Sequence, residues 1–258
     1  MWRVLNSGAR QWTVWITRAV PIMVALGLLT GCSTVYSSSG FDAVTGSGRL
    51  TSRTIDLAGV TSVVAGATFM VVLKTGSPAQ ATVTMDDNLT DRVEATVSGN
   101  ELHLGIKPGM SVRNATLRAD VTVGRLDRLE ASGASHATLD AQVTSPTLRL
   151  VVEGASQITG PVGVDRLEAS ESGASVLTLS GRAGSLHLNS VGSSRLLGAE
   201  LAVADLDAVL SGASQATVAV SDTLAVTADG ASVLRYRGNP SITRQETSGA
   251  SSIVANPL

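Results

Sequence analysis

SGAS at residues 211–214 decides the fold, because the chain keeps returning to it: ASGAS at 131–135, EGAS at 153–156, SGAS at 172–175, VGSS at 191–194, DGAS at 229–232 and SGAS at 248–251. The central glycines are Gly133, Gly154, Gly173, Gly192, Gly212, Gly230 and Gly249, spaced 21, 19, 19, 20, 18 and 19 residues apart. So regular a period means stacked structural units. Four residues before each glycine stand Leu129, Leu150, Ala169, Leu188, Ala208, Val226 and Gln245; four after stand Ala137, Ile158, Leu177, Leu196, Ala216, Leu234 and Ile253. Thirteen of these fourteen are apolar, so both positions point inward.

Two after every glycine is a serine: Ser135, Ser156, Ser175, Ser194, Ser214, Ser232 and Ser251. Three after it the residue varies freely (His136, Gln157, Val176, Arg195, Gln215, Val233, Ser252). Fixed apolar alternating with variable is the period of a strand with one buried face, not of a helix. Each repeat therefore reads as strand, sharp corner, strand. Parallel coils stacked about 4.8 Å apart place equivalent residues over one another, so every corner must turn alike. Glycine supplies a conformation costly for other residues, a small neighbour fills the bend, and serine bonds to its counterparts or to backbone groups the corner frees. The expectation is an all-β, single-stranded parallel β-helix, or β-solenoid, of about 19 residues per coil. Seven coils make a rod of roughly 30 Å.

Composition agrees with a narrow core. The chain is 43% hydrophobic with only 3% aromatic residues and 26 glycines, and all three tryptophans lie within the first 15 residues. Those first residues carry Arg3, Arg10 and Arg18, then AVPIMVALGLLTG (19–31), then the sole cysteine, Cys32. The apolar run is shorter than the ~20 residues a membrane span needs, but suits a signal peptide. Leu29-Thr30-Gly31-Cys32 resembles a bacterial lipobox, which predicts cleavage between Gly31 and Cys32 and diacylglyceryl attachment to Cys32. Loss of three arginines would take the net charge from −2 to 16 − 21 = −5, arguing against a nucleic-acid partner. Residues 1–31 thus read as signal peptide, 32–52 as a Ser/Gly-rich tether, 53–125 as an irregular first part of the head, and 126–258 as seven coils.

In the first part the corner marker is missing, yet strand-like runs continue: TFMVVLK from Thr68, ATVTM from Ala81, VEATVSGNELHLGI from Val93 and TLRADVTV from Thr116. Ser98-Gly99-Asn100 reads as a tight turn between two strands. Here RTIDLAGVTSVVAGATFMVVLKTG (53–76), VTMDDNL (83–89), VSGNELHLGI (97–106) and the repeated corners resemble the bacterial autotransporter-adhesin head GIN domain family, over nearly all of residues 53–255. The resemblance implies a right-handed parallel β-helix, often on a lipoprotein, and a role in adhesion or binding. The corners read GAS rather than GIN. No catalytic residue comes with the resemblance.

The residues themselves offer little chemistry. No GAS corner supplies the second glycine of a G-x-S-x-G nucleophile elbow, and seven equivalent serines are a structural ladder. His103, His136 and His187 have neither a neighbouring cysteine nor H-E-x-x-H spacing, so no metal is expected. Asp86-Asp87-Asn88 is the densest polar cluster; it reads as a turn, a cation site being the alternative. The outward column five before each glycine (Arg128, Arg149, Glu168, His187, Asp207, Ala225, Arg244) is polar and mixed. An interrupted threonine column (Thr138, Thr159, Thr178, Thr217) reflects strand preference. The expectation is a non-enzymatic protein without cofactor, held in the envelope by an N-terminal lipid, facing outside the cytoplasm and binding glycan or protein. The alternatives are a pectin-lyase-like carbohydrate-active enzyme using carboxylates among Glu130, Glu153 and Glu168, or an envelope scaffold.

Overall fold

The structure, a computed structural model, describes residues 43–255. Gly31, Cys32, the signal peptide and residues 32–42 of the tether lie outside the described residues. Seventeen strands form one hydrogen-bonded sheet that winds as a β-solenoid, and a separate pair joins Ala43–Thr45 to Ser111–Arg113. Strands Gln157–Glu171, Val176–Gly192, Arg195–Gly212 and Gln215–Ala228 stack in parallel. Gln157 lies beside Val176, an offset of 176 − 157 = 19 residues, so the sequence period is the coil.

The interior is built by columns. Leu129, Leu150, Ala169, Leu188, Ala208 and Val226 stand one above another, all buried. Leucine, alanine and valine share this column, and beside it Leu167, Leu186, Leu206 and Leu224 stack as an unbroken row of leucines, so these two columns fill the core with aliphatic side chains alone. In the last coil this column ends on Gln245, in a strand exposed throughout.

The corners explain the glycines twice over. Gly212 has φ +79°, and a Cβ there would lie 2.7 Å from the carbonyl oxygen of Gly192 in the coil before. The other six marker glycines also have positive φ, and each abuts the backbone of the preceding corner. The next residue's N–H spans the coils at the same point, Ala213 to the Gly192 carbonyl at 2.7 Å. Of the serines, Ser135, Ser156, Ser175, Ser194, Ser214 and Ser232 are buried and Ser251 is partly exposed. The Ser135 hydroxyl donates to the Ala65 carbonyl at 3.0 Å, Ser214 donates to Ser232 at 3.4 Å, and Ser232 donates to the Asp229 carbonyl at 2.7 Å.

The first part of the head is less irregular than its sequence suggests. Ser62–Ala65 and Met70–Thr75 lie in register under Arg128–Ala131 and His136–Leu139, so Ala65-Gly66-Ala67-Thr68-Phe69 is a further corner. Ala67 takes the glycine place at φ +60°, and the serine place holds the fully buried Phe69. Below this corner Glu101–Ile106 stacks under Ser62–Ala65 and Leu117–Val123 under Met70–Thr75, but between them the chain leaves the stack, so no corner backbone lies beneath Ala67. Antiparallel strands then close this end: Val93–Ser98 turns at Gly99 onto Glu101–Ile106, and Gln80–Asp86 is sandwiched between Leu50–Asp56 and Leu117–Val123.

Residues 43–52, read from sequence as tether, belong to this closed end. The reason is the Asp86-Asp87-Asn88 cluster, a 3-10 turn at Asp87–Leu89 whose side chains grip the incoming chain. Asp86, 1% exposed, accepts hydrogen bonds from Gly48 N at 2.6 Å and Thr116 N at 2.7 Å. Asp87 accepts from the Ser47 hydroxyl at 2.5 Å and pairs with Arg49 at 3.0 Å, while Asn88 accepts from Ser47 N and donates to the Thr45 carbonyl. Asp86→Ala strands two amides and is expected to cost about 2 kcal/mol, with new proteolytic cleavage near residues 46–49. Unchanged urea midpoints and cleavage patterns would show that the cluster holds nothing.

One interior column contains a charge-bearing group. Ala131, Val152, Glu171, Ser190, Leu210 and Ala228 are stacked neighbours. Glu171 is 2% exposed; Ser190 donates to its Oε2 at 2.9 Å and is itself 2.7 Å from Ser194 Oγ. Its Oε1 and the nearby corner hydroxyl of Ser175 have no partner among the described residues. Burial pushes the Glu171 carboxyl up to about 7, against the opposing hydrogen bond from Ser190.

Candidate binding face

Parallel stacking turns every outward position into a column. Glu168, His187, Asp207, Ala225 and Arg244 form one, and two residues earlier Arg166, Ser185, Asp205 and Thr223 form a second, which ends across a bulge on Ser241. Between them the leucines at 167, 186, 206 and 224 point inward and are buried. The two polar columns border a surface groove of about 440 Å³ floored by Leu186 and Leu206.

Charges in the groove are cross-linked between coils. Arg149 lies 4.0 Å from Glu168, and His187 Nδ1 lies 3.5 Å from Asp207 Oδ2. Arg244 reaches over Ala225 to Asp207 at 2.5 Å, spanning two coils because alanine leaves the way open. Thr223 donates to Asp205 at 2.6 Å. Toward the closed end the same face continues as Arg128 with Glu101 at 3.2 Å, Arg128 with Glu130, and His103 with Glu101 at 2.6 Å. The result is a strip of mixed charge running along the stack, with side chains that both donate and accept.

The three glutamates of the enzymatic alternative fall on separate lines. Glu168 belongs to the column of Arg128 and Arg149; Glu130 stands two residues further along the strand, beside Val151; Glu153 is exposed at the corner. Glu168 instead borders the same groove as Asp205 and Asp207, two coils away across His187 and Ser185. His136 is exposed on another strand, away from His187. Among the described residues, no group of three or more His, Cys, Asp or Glu side chains is placed to hold a metal ion.

A second depression follows from the uneven spacing of 20 and then 18 residues. Gly198 pairs with Val218, but Ala202 pairs with Ala219, so the three residues between have no counterpart in the shorter coil. The ledge so formed borders an apolar cavity of about 540 Å³ lined by Ala183, Ala202, Val203, Ala219 and Val220, with Arg237 at its rim bonded to the Ala199 carbonyl.

Comparison with known proteins agrees with this architecture. A crystal structure of a "putative adhesin" from Bacteroides fragilis superposes with TM-score 0.78 at 18% identity, covering 83% of this chain and 100% of the other. One from Parabacteroides distasonis gives 0.67 at 20% identity, over 84% and 100%. A "putative lipid binding protein" from the same species gives 0.66 at 15% identity, over 83% and 99%. At these identities the likeness concerns the fold. No curated protein matches the chain significantly. The family model described as "Putative auto-transporter adhesin, head GIN domain" matches residues 59–240, and the chain belongs to that family.

Proposed function

We propose that this chain is a non-enzymatic, lipid-anchored protein of the cell envelope that binds a glycan or protein polymer along its polar strip. The strip is the observation that carries this reading. In-register columns present donors and acceptors of mixed type from successive coils about 4.8 Å apart, so an extended partner touches several coils at once and gains from many weak contacts. The carboxylates of the strip are engaged with Arg149, Arg244, His187 and Thr223 rather than held apart as an acid–base pair, which favours binding over catalysis. The lipobox-like Leu29-Thr30-Gly31-Cys32 supports the anchor, and the family description supports an outward-facing location.

Two measurements test the reading. Cys32→Ser should release the protein from the membrane fraction or leave it unprocessed, whereas the parent stays membrane-bound and open to added protease in intact cells. Asp207→Ala with His187→Ala should weaken binding to whichever member of an envelope and host polysaccharide panel the parent retains, by about tenfold. Parent protein that binds nothing on the panel, or binds equally well after both substitutions, removes the strip from consideration.

A further inference from the structure

The two ends of the coil stack are unlike. Antiparallel strands close the N-terminal end, where the described residues begin at Ala43. At the other end Ser241–Thr247 pairs with residues 223–228, and Ser252–Ala255 with residues 233–236, on one side only. Among the described residues no strand meets their outer edges, and all seven residues of Ser241–Thr247 are exposed. An unpaired edge is a template for another strand. This one has regular pairing from Arg244 to Thr247, beyond a bulge at Thr243.

Its sequence is its own complement. Arg244 and Glu246 face outward over Ala225 and Thr227, and Gln245 between them continues the inward column of Val226. A two-fold axis through Gln245 brings a second copy of the strand alongside in antiparallel sense. Arg244 of each copy then stands directly opposite Glu246 of the other, on the outer surface, and the two Gln245 amides meet inside. The Arg244 guanidinium already bonds Asp207 through Nη2 at 2.5 Å and has further N–H donors to share with the Glu246 carboxylate, which itself accepts from Thr227 at 3.4 Å. Charged side chains and a bulge blunt an edge against strands in general; the Arg-Gln-Glu order makes this edge selective for its own copy, since opposite charges across antiparallel strands attract.

We infer that the C-terminal edge is a homophilic docking surface that joins two copies tip to tip through Ser241–Thr247. The geometry sets a direction as well. The chain enters each head at the closed end, so in the pair the two entry points lie at opposite ends of a doubled rod. If the N-terminal anchor proposed above holds, which this last step alone requires, the paired copies sit on facing surfaces, and the partner bound is the same protein on another cell.

Charge reversal gives a self-checking experiment on the full-length chain in detergent. Arg244→Glu and Glu246→Arg should each raise the dimer dissociation constant about tenfold or more, because each sets like charges opposite one another. Mixing the two variants should restore pairing, since one copy then offers only glutamates and the other only arginines at the facing positions. Gln245→Cys should form an oxidised dimer, whereas Ser241→Cys, roughly 25 Å from its mate in this register, should not. Cells displaying either charge variant alone should stay dispersed, and mixed populations should clump. Monomeric parent protein at every attainable concentration, or a dimer indifferent to both reversals, overturns the edge pairing. Pairing in detergent without clumping of cells leaves the edge intact and overturns only the facing-surface step.

Discussion

Between pH 5 and pH 8 the head is expected to lose stability as the medium becomes less acidic, and Glu171→Gln is expected to remove most of that loss. The sign follows from which state holds the proton. The unfolded carboxyl releases it near 4.5, the folded one near 7. Below pH 4.5 both states are protonated and burial carries no electrostatic cost; between 4.5 and 7 the folded form alone keeps its proton, and stability falls by about 1.4 kcal/mol per pH unit. Across the window the loss is roughly 3 kcal/mol, comparable with a core cavity. The carboxyls of Asp87, Asp120 and Asp229, held below their usual 3.8 chiefly by Ser47, Arg118 and Ser248, work the other way and in a lower range, losing their contribution as acid protonates them. Urea titrations of parent and variant at half-unit steps separate the two. Parallel curves from pH 5 to 8 would show that Glu171 is not the group responsible.

The largest single loss is expected at a corner. Gly212→Val must place a β-branched side chain at φ +79° and drive its Cβ into the Gly192 carbonyl, where 2.7 Å is available and the obstacle is backbone. A left-handed conformation alone costs a non-glycine residue about 1–2 kcal/mol; parting two coils also breaks the Ala213 to Gly192 hydrogen bond. A total of roughly 4 kcal/mol lies at the upper end for one substitution. Gln215→Val, three residues on and outward-facing, should change stability by no more than about 0.5 kcal/mol. Equal losses at the two sites would mean that the corners do not stack as described.

Much of this was readable beforehand because repetition amplifies a weak signal. A single Gly-Ala-Ser says little, but six of them and one Gly-Ser-Ser at near-constant spacing fix the coil length, the corner and the inward columns together. The corner at Ala67 is harder to read because one of the two constraints is missing: φ is still +60°, but with no coil corner beneath it alanine is tolerated where later corners require glycine. The extent of the tether was misjudged for a different reason. Residues 43–52 have no pattern of their own and are ordered by Asp86, Asp87 and Asn88, some forty residues away, a contact no local period encodes. Half of the polar strip is legible as the column of Glu168, His187 and Asp207; the Arg166 and Asp205 column, displaced by two residues, is equally periodic and lacks only the nearness to the glycine that marks the first. Glu171 could have been found too, as the one carboxylate two residues before a marker glycine, a column otherwise filled by small, apolar or hydroxyl residues.

The Asp86 latch has a mechanical consequence. A pull on the chain ahead of residue 43 enters the head through three parallel residue pairs, Ala43 with Ser111 to Thr45 with Arg113, and then through the grip of residues 86–88 on 45–49. These few polar bonds lie in series with the load, whereas the coils behind them are joined along whole strands. Under tension the latch is expected to yield first and release extra length while the stacked coils stay intact, so that the head gives way at its entry before any coil is lost.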